Sequence, residues 1–326
     1  MKKLLILLLL TSSVFASNNQ DKLNNIETLN NFVFASCNKR TNTQELWTDI
    51  NRDTPELFIW GGDIIYGDKK PYQHDLVKKY SLLNQVEGYK QLKTQTPIIG
   101  VWDDHDYGVN NGDHTNPKKY FAKKALLDFL EEPLLSPRWE HSGVYTSYTF
   151  GTGEKKVKFI LLDNRFNLSK KGGILGGKQR AWFEQELSNS DAKIHFIVTG
   201  MPFLPSSMVW TEEWSDYPSS KAYMLETLNK YKPSGVIFLT GDKHFGAISQ
   251  KENLIEIMSS GMTHGPSKIF YPLLRKRFHN PYFQLNYAFI NIDWDATPLQ
   301  VTAQIKGREN KVAIERVLKL NGIYFQ

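Results

Sequence analysis

Pro97-Ile98-Ile99-Gly100-Val101 runs without a break into Trp102-Asp103-Asp104-His105-Asp106. The apolar half reads as a strand buried on both faces, as in a parallel or mixed sheet. Three carboxylates around one histidine follow at its carboxyl end, where like charges repel unless a counter-charge is near. A solvated acidic turn is the plain alternative, but the preceding strand and Trp102 set this segment against the core. The pattern recurs three times. Residues 31–34 lead into Phe34-Ala35-Ser36-Cys37-Asn38, and 57–60 into Gly61-Gly62-Asp63-Ile64-Ile65-Tyr66-Gly67-Asp68. Residues 236–240 lead into Gly241-Asp242-Lys243-His244. Carboxyl ends of strands in an open α/β sheet share one rim, and ligands bind there. A thiol, several carboxylates, a phenol and two imidazoles meeting on that rim make a donor set for metal ions.

Working outward, strands alternate with helices. Helical stretches are expected at 43–50, 75–92 and 117–130, the last with Pro117 at its start. A hairpin joins 144–150 to 157–162 through Gly151-Thr152-Gly153. An amphipathic helix at 178–187 carries Trp182, Phe183 and Leu187 on one face. A strand at 194–199, a helix at 219–231 and a strand at 236–240 follow. From 254 onward the chain reads as β, at 254–258, 287–292, 299–305 and 311–318. Segments 200–218 and 262–281 are rich in aromatics and Pro and read as long loops near the rim. No linker interrupts 31–320, so residues 31–326 are expected to form a single domain.

The first residues read as a processing signal. Lys2-Lys3, the apolar run 4–10 and Val14-Phe15-Ala16 suit cleavage after Ala16, and the run is too short to span a bilayer. With no twin-Arg pair, the general secretory route is expected, to the periplasm or the cell exterior. Residues 17–30 are polar and Asn-rich, and read as a tether. The 326-residue chain has 40 basic and 34 acidic residues, a formal +6; losing Lys2 and Lys3 leaves +4. Such a surface attracts small anions but leaves no nucleic-acid footprint. A single cysteine excludes an intramolecular disulfide. Cys37 is then a buried small hydrophobe, half of an intermolecular pair, or a metal ligand. Its place at a strand end, level with three other donor clusters, favours the ligand.

Asp63 and Tyr66 share one metal if the turn between them curls helically. The carboxylate has two oxygens with which to bridge two cations, and a phenolate favours a hard ion such as Fe³⁺. Asp242 and His244 point the same way if their segment stays extended.

The ordered set F-A-S-C-N, G-D-I-I-Y-G-D, W-D-D-H-D-Y-G-V-N, L-D-N-R and G-D-K-H resembles the PhoD-type (alkaline phosphatase D) family of calcineurin-like metallophosphoesterases, over roughly residues 31–265. The resemblance implies an α/β fold, a four-layer β-sandwich flanked by helices, with metals at one end. It implies hydrolysis of phosphate monoesters or diesters by metal-activated hydroxide, with Fe³⁺ and Ca²⁺ in a dinuclear or larger centre. By the same resemblance, Cys37, Asp63, Tyr66 and His244 hold the iron, and Asp63 bridges to calcium, which Asp104 and Asp242 also bind. Asn110, just beyond the acidic run, offers an amide oxygen, and oxygen donors suit calcium. His105 matches the family histidine at the phosphate or leaving group. Arg165 is the candidate to clamp phosphate with its planar fork. His264 lies in a segment resembling one near the family's rim, as a substrate contact or a structural histidine. Where relatives in the wider superfamily place a metal-binding histidine, this sequence has Gly200-Met201-Pro202.

The substrate expected is thus a small phosphoester, a phospholipid head group or a polymer diester. The alternative is a non-catalytic metal- or phosphate-binding surface protein that retains the fold. Basic residues Lys268, Arg275, Lys276 and Arg277 in the second loop would face an anionic membrane or substrate, or simply solvent.

Overall fold

The computed structural model describes residues 18–204 and 212–326. The leader read at 1–16 and the middle of the loop at 200–218 lie outside the described residues.

Two sheets stack face to face. The first runs in the order β13-β12-β11-β10-β1-β2-β3, built from β1 (Asn31–Ala35), β2 (Phe58–Gly61), β3 (Ile98–Val101), β10 (Tyr287–Asp293), β11 (Gln300–Lys306), β12 (Val312–Asn321) and β13 (Tyr324–Phe325). The second runs β4-β5-β6-β7-β9-β8, from β4 (Thr146–Phe150), β5 (Val157–Leu161), β6 (Ile194–Thr199), β7 (Val236–Thr240), β8 (Gly246–Lys251) and β9 (Leu254–Ser259). β1, β2 and β3 are parallel, as are β5, β6, β7 and β9, so within each sheet these strands end on one rim.

Side chains alternate between layers, as the pleat demands. Phe32, Phe34, Ile59 and Ile99 meet Phe159, Leu161, Phe196 and Val198 between the sheets. Val33, Phe58 and Trp60 face outward under α2 (Leu46–Arg52), α3 (Leu76–Asn84), α4 (Glu87–Gln95) and α5 (Lys119–Phe129). Ile160, Ile197 and Phe238 face outward under α6 (Gly176–Ser188) and α7 (Pro218–Tyr231). The result is four layers, helix–sheet–sheet–helix, as the sequence implied. It also explains why these strands are apolar on both sides.

Three expectations need correction. The helix expected over 75–92 is two, α3 and α4, broken at Gln85-Val86. The loop at 262–281 contains α8 (Tyr271–Arg277). The stretch at 17–30 is docked over its described residues, not a loose tether. It forms α1 (Asn19–Asn24), with Leu23 and Leu29 buried. The Asn19 amide donates to Ile98 O at 2.7 Å and accepts from Ile98 N at 2.7 Å. Arg138 donates to Gly100 O at 3.0 Å. Together they occupy the free edge of β3, which would otherwise offer unpaired backbone groups to another chain.

Candidate metal centre

The loops after β1, β2, β3 and β7 meet at one end of the sandwich. Cys37 Sγ lies 3.5 Å from Asp63 Oδ2. Tyr66 Oη lies 3.2 Å from His244 Nε2 and 3.1 Å from His264 Nε2. Donor atoms of Cys37, Asp63 and His244 fall within 4.8 Å of one another, and so do those of Asp63, Asp104 and His105. Asp63 belongs to both groups, which is the geometry of two adjoining cation sites sharing one carboxylate.

The backbone reaches this arrangement through left-handed conformations rather than extended strand ends. Cys37 has φ 62°, Asp63 51°, Asp242 74° and His244 62°. For side chains other than Gly, Asn and Asp this region is uncommon and costs energy, and such outliers cluster at functional sites. Asp242 and His244 thus do not share a face by strand alternation. Lys243 N donates to Gly241 O, and the chain turns tightly at Asp242. Tyr66 likewise arrives without a helical turn after Asp63. Gly62, at φ +92°, has Asp103 so close that a Cβ would sit 2.6 Å from its Cβ. At Gly200 a Cβ would sit 2.6 Å from Asp103 Cγ, so Asp103 fills the space a side chain at 200 would need.

Charge at this end is unbalanced. Burial, then the carboxylates of Asp104, Asp103, Asp106 and Asp242, hold the Asp63 pKa far above the usual range. Burial also raises the Cys37 thiol and the Tyr66 phenol, with neighbouring anions adding to it. Asp103 is pushed up to about 7 by burial, against the pull of Arg165. For Asp104, burial is outweighed by Arg165 and His105, and the net direction is down. Asp104 Oδ1 and Asp103 Oδ2 are buried without a hydrogen-bond partner. Orphaned buried oxygens among crowded acids are what a bound cation would relieve. Cys37 sulfur and His244 imidazole, with the Tyr66 phenol beside them, form one donor group with Asp63, and Asp104 carboxylate with His105 imidazole form the other; both sets are chemically fit to hold cations.

The other expected residues fall as follows. His105 is buried, its ring 4.0 Å from that of Tyr66, and its Nδ1 lies 2.6 Å from Asp68 Oδ1. Burial lowers its pKa, but Asp68 and Asp104 outweigh burial and raise it. The His264 ring is tilted against that of His244, with centroids 4.2 Å apart, and burial with nearby cations brings the His264 pKa down to about 3. Asn110 is exposed; Asp104 Oδ2 is instead held at 2.7 Å by the backbone N–H of Asn111. Arg165 is not an open clamp. Its side chain is 1% exposed, and it donates to Asp103 Oδ1 at 2.5 Å and to Glu212.

Asp68, Glu212 and Glu213 were not singled out from sequence. Glu213 pairs with buried Lys243 at 3.4 Å. Asp106, one of the three acids beside His105, accepts from Ile64 N, Ile65 N, Asp103 N and Tyr80 Oη at 3.0–3.2 Å. It ties the loops after β2 and β3 together.

Residues 32–267 match the PhoD-like phosphatase family. The chain belongs to that family. Among solved structures, "Structure of PhoD" superposes with a TM-score of 0.69 at 16% identity, covering 95% of this chain and 72% of that one. A purple acid phosphatase, PPD1 from yellow lupin seeds, gives 0.63 at 10% identity, covering 93% and 55%. GAP50, described as the anchor in the inner membrane complex of Plasmodium, gives 0.61 at 12% identity, covering 90% of each. At these identities the likeness establishes the calcineurin-like fold alone. No protein with a curated description matches the sequence. For this PhoD-like phosphatase, no described helix is long and apolar enough to cross a membrane.

Proposed function

We propose that this PhoD-like phosphatase is an exported phosphoesterase that hydrolyses phosphate monoesters or diesters at a two-cation centre. The observation that carries the reading is Asp63, shared between a Cys37–His244 group and an Asp104–His105 group. Fold alone would not suffice, since a protein described as an anchor has the same one. Cys37, Asp63, Tyr66 and His244 would hold iron, and Asp63, Asp104 and Asp242 calcium. Bound there, the cations supply Lewis acidity, lowering the pKa of water and neutralising phosphoryl charge.

The remaining steps belong to this chain's own groups. Asp68 fixes His105 through Nδ1, which leaves Nε2 to hold or deliver a proton at the leaving oxygen. Arg165 acts from beneath, balancing Asp103 and orienting it, and not as a direct phosphate contact. His264 orients the Tyr66 phenol against His244. The leader at 1–16 supports a place outside the cytoplasm.

The test is purified protein analysed for iron and calcium and assayed on 4-nitrophenyl phosphate and bis(4-nitrophenyl) phosphate. The expected result is turnover that chelators abolish, with a tyrosinate–iron absorption band in the visible. Cys37→Ser should lose both iron and turnover. A Cys37→Ser protein with wild-type rate and metal content would defeat the assignment.

A further inference from the structure

A cavity of about 230 Å³ opens beside the metal centre, and Tyr66 is common to both. Lys39, Arg40, Lys69, Lys70 and Lys79 line it, brought together from the loops after β1 and β2 and from α3. The inner surface is mostly apolar, with Ile65, Pro71, Tyr72 and Leu82 contributing. Lys69 is committed to Asp68 at 2.6 Å, and Lys79 to the carbonyls of Tyr66 and Lys69 at 2.5 and 2.6 Å. Arg40 and Lys70 are exposed and have no acidic partner among the described residues. Exposed Arg40 and Lys70, and half-buried Lys39, therefore line, without an acidic partner among the described residues, an apolar groove that Tyr66 of the cluster also lines.

We propose that this groove is a subsite for the non-reacting arm of the ester, and that it selects an arm ending in a second anionic group. The location rests on the phosphoesterase reading above. With one phosphoryl group at the Tyr66 end, the short organic arm lies on Ile65 and Leu82, and its terminal phosphate or carboxylate reaches Arg40 and Lys70. Charge-assisted contacts of that kind favour oxyanions, and the concave apolar floor favours a small soluble arm over a flat surface.

The experiment compares two 4-nitrophenyl phosphodiesters, one with a propyl arm and one with a 3-phosphonopropyl arm, on wild type and on the Arg40→Gln/Lys70→Gln double variant. Both positions are exposed and unpaired, so folding is not at stake. The phosphonate arm should improve kcat/KM about tenfold or more at low salt in wild type. The double variant, and wild type in high salt, should lose that ratio. Equal kcat/KM for the two substrates, or a preference that survives the double substitution, overturns the subsite. A separate readout guards against failure of the chemistry itself: calorimetric titration with propane-1,3-diphosphonate. If neither diester turns over, the phosphoesterase reading falls. The groove then stands or falls on whether this dianion binds wild type about tenfold more tightly than the double variant. Phosphatidylglycerol vesicles that capture wild type but not the double variant, with no preference between the soluble diesters, would assign these cations to a membrane and also overturn it.

Discussion

Asp68 is the residue whose role emerges only in three dimensions. It sits in the quoted Gly67-Asp68 pair, yet its partner His105 is 37 positions away. The contact carries its own signature, because two hydrogen bonds from His105 and Lys69 outweigh burial and bring the Asp68 pKa to about 2. Asp68→Asn keeps the size but removes the charge that fixes the imidazole. We expect kcat to fall by about 10- to 100-fold with KM and metal content unchanged, measured on the chromogenic diester with parallel elemental analysis. A fall in metal content instead would make Asp68 part of the cation site. At this scale the sequence indicated which side chains lie together better than the direction each one takes. Cys37, Asp63, Tyr66, Asp104 and His244 do gather at one end. Strand alternation could not foresee φ 74° at Asp242, nor could spacing show that Asn110 lies outside or that Arg165 is enclosed by Asp103 and Glu212.

Elements were most legible where both faces are buried. β6 and β7 match the expected 194–199 and 236–240 because every residue in them is apolar or tucked under a helix. β8 was missed since its latter half, Ser249-Gln250-Lys251, is a polar edge, with Ser249 half-buried and Gln250 and Lys251 exposed. The break between α3 and α4 has no proline or glycine to announce it. Within β6, His195 is fully buried and held neutral between Ser190 Oγ at 2.7 Å and Ser234 O at 2.6 Å. Burial takes its pKa down to about 4 from the usual 6.5. Between those values the unfolded chain binds a proton that the folded one refuses, so stability rises with pH there. The contribution is complete above about 6.5 and disappears as pH falls toward 4. Denaturant midpoints at pH 7 and 4.5 should show His195→Gln losing roughly 2–3 kcal/mol less than wild type over that interval. Parallel losses in both proteins would contradict a neutral buried imidazole.

For the molecule as a whole, the outlying pieces of chain complete the sheets. Asn19 serves β3 as a neighbouring strand would, accepting from Ile98 N and donating to Ile98 O. Asn19→Ala would leave both groups buried and unmet, so a loss of about 2 kcal/mol or more, several degrees in Tm, is expected. A variant melting with wild type would mean that α1 contributes nothing to the edge. The Asn-rich composition of 17–30 concealed this, since two leucines supply the only apolar anchors that were buried. The order of the first sheet has a consequence for synthesis. Phe34 pairs on one side with Ile59, which follows it closely, and on the other with Ala288. A nascent chain not yet extended through residues 287–293 therefore holds an apolar strand open along one side. Until β10 is made, that unpaired edge is the part of the unfinished sheet most open to association with other chains.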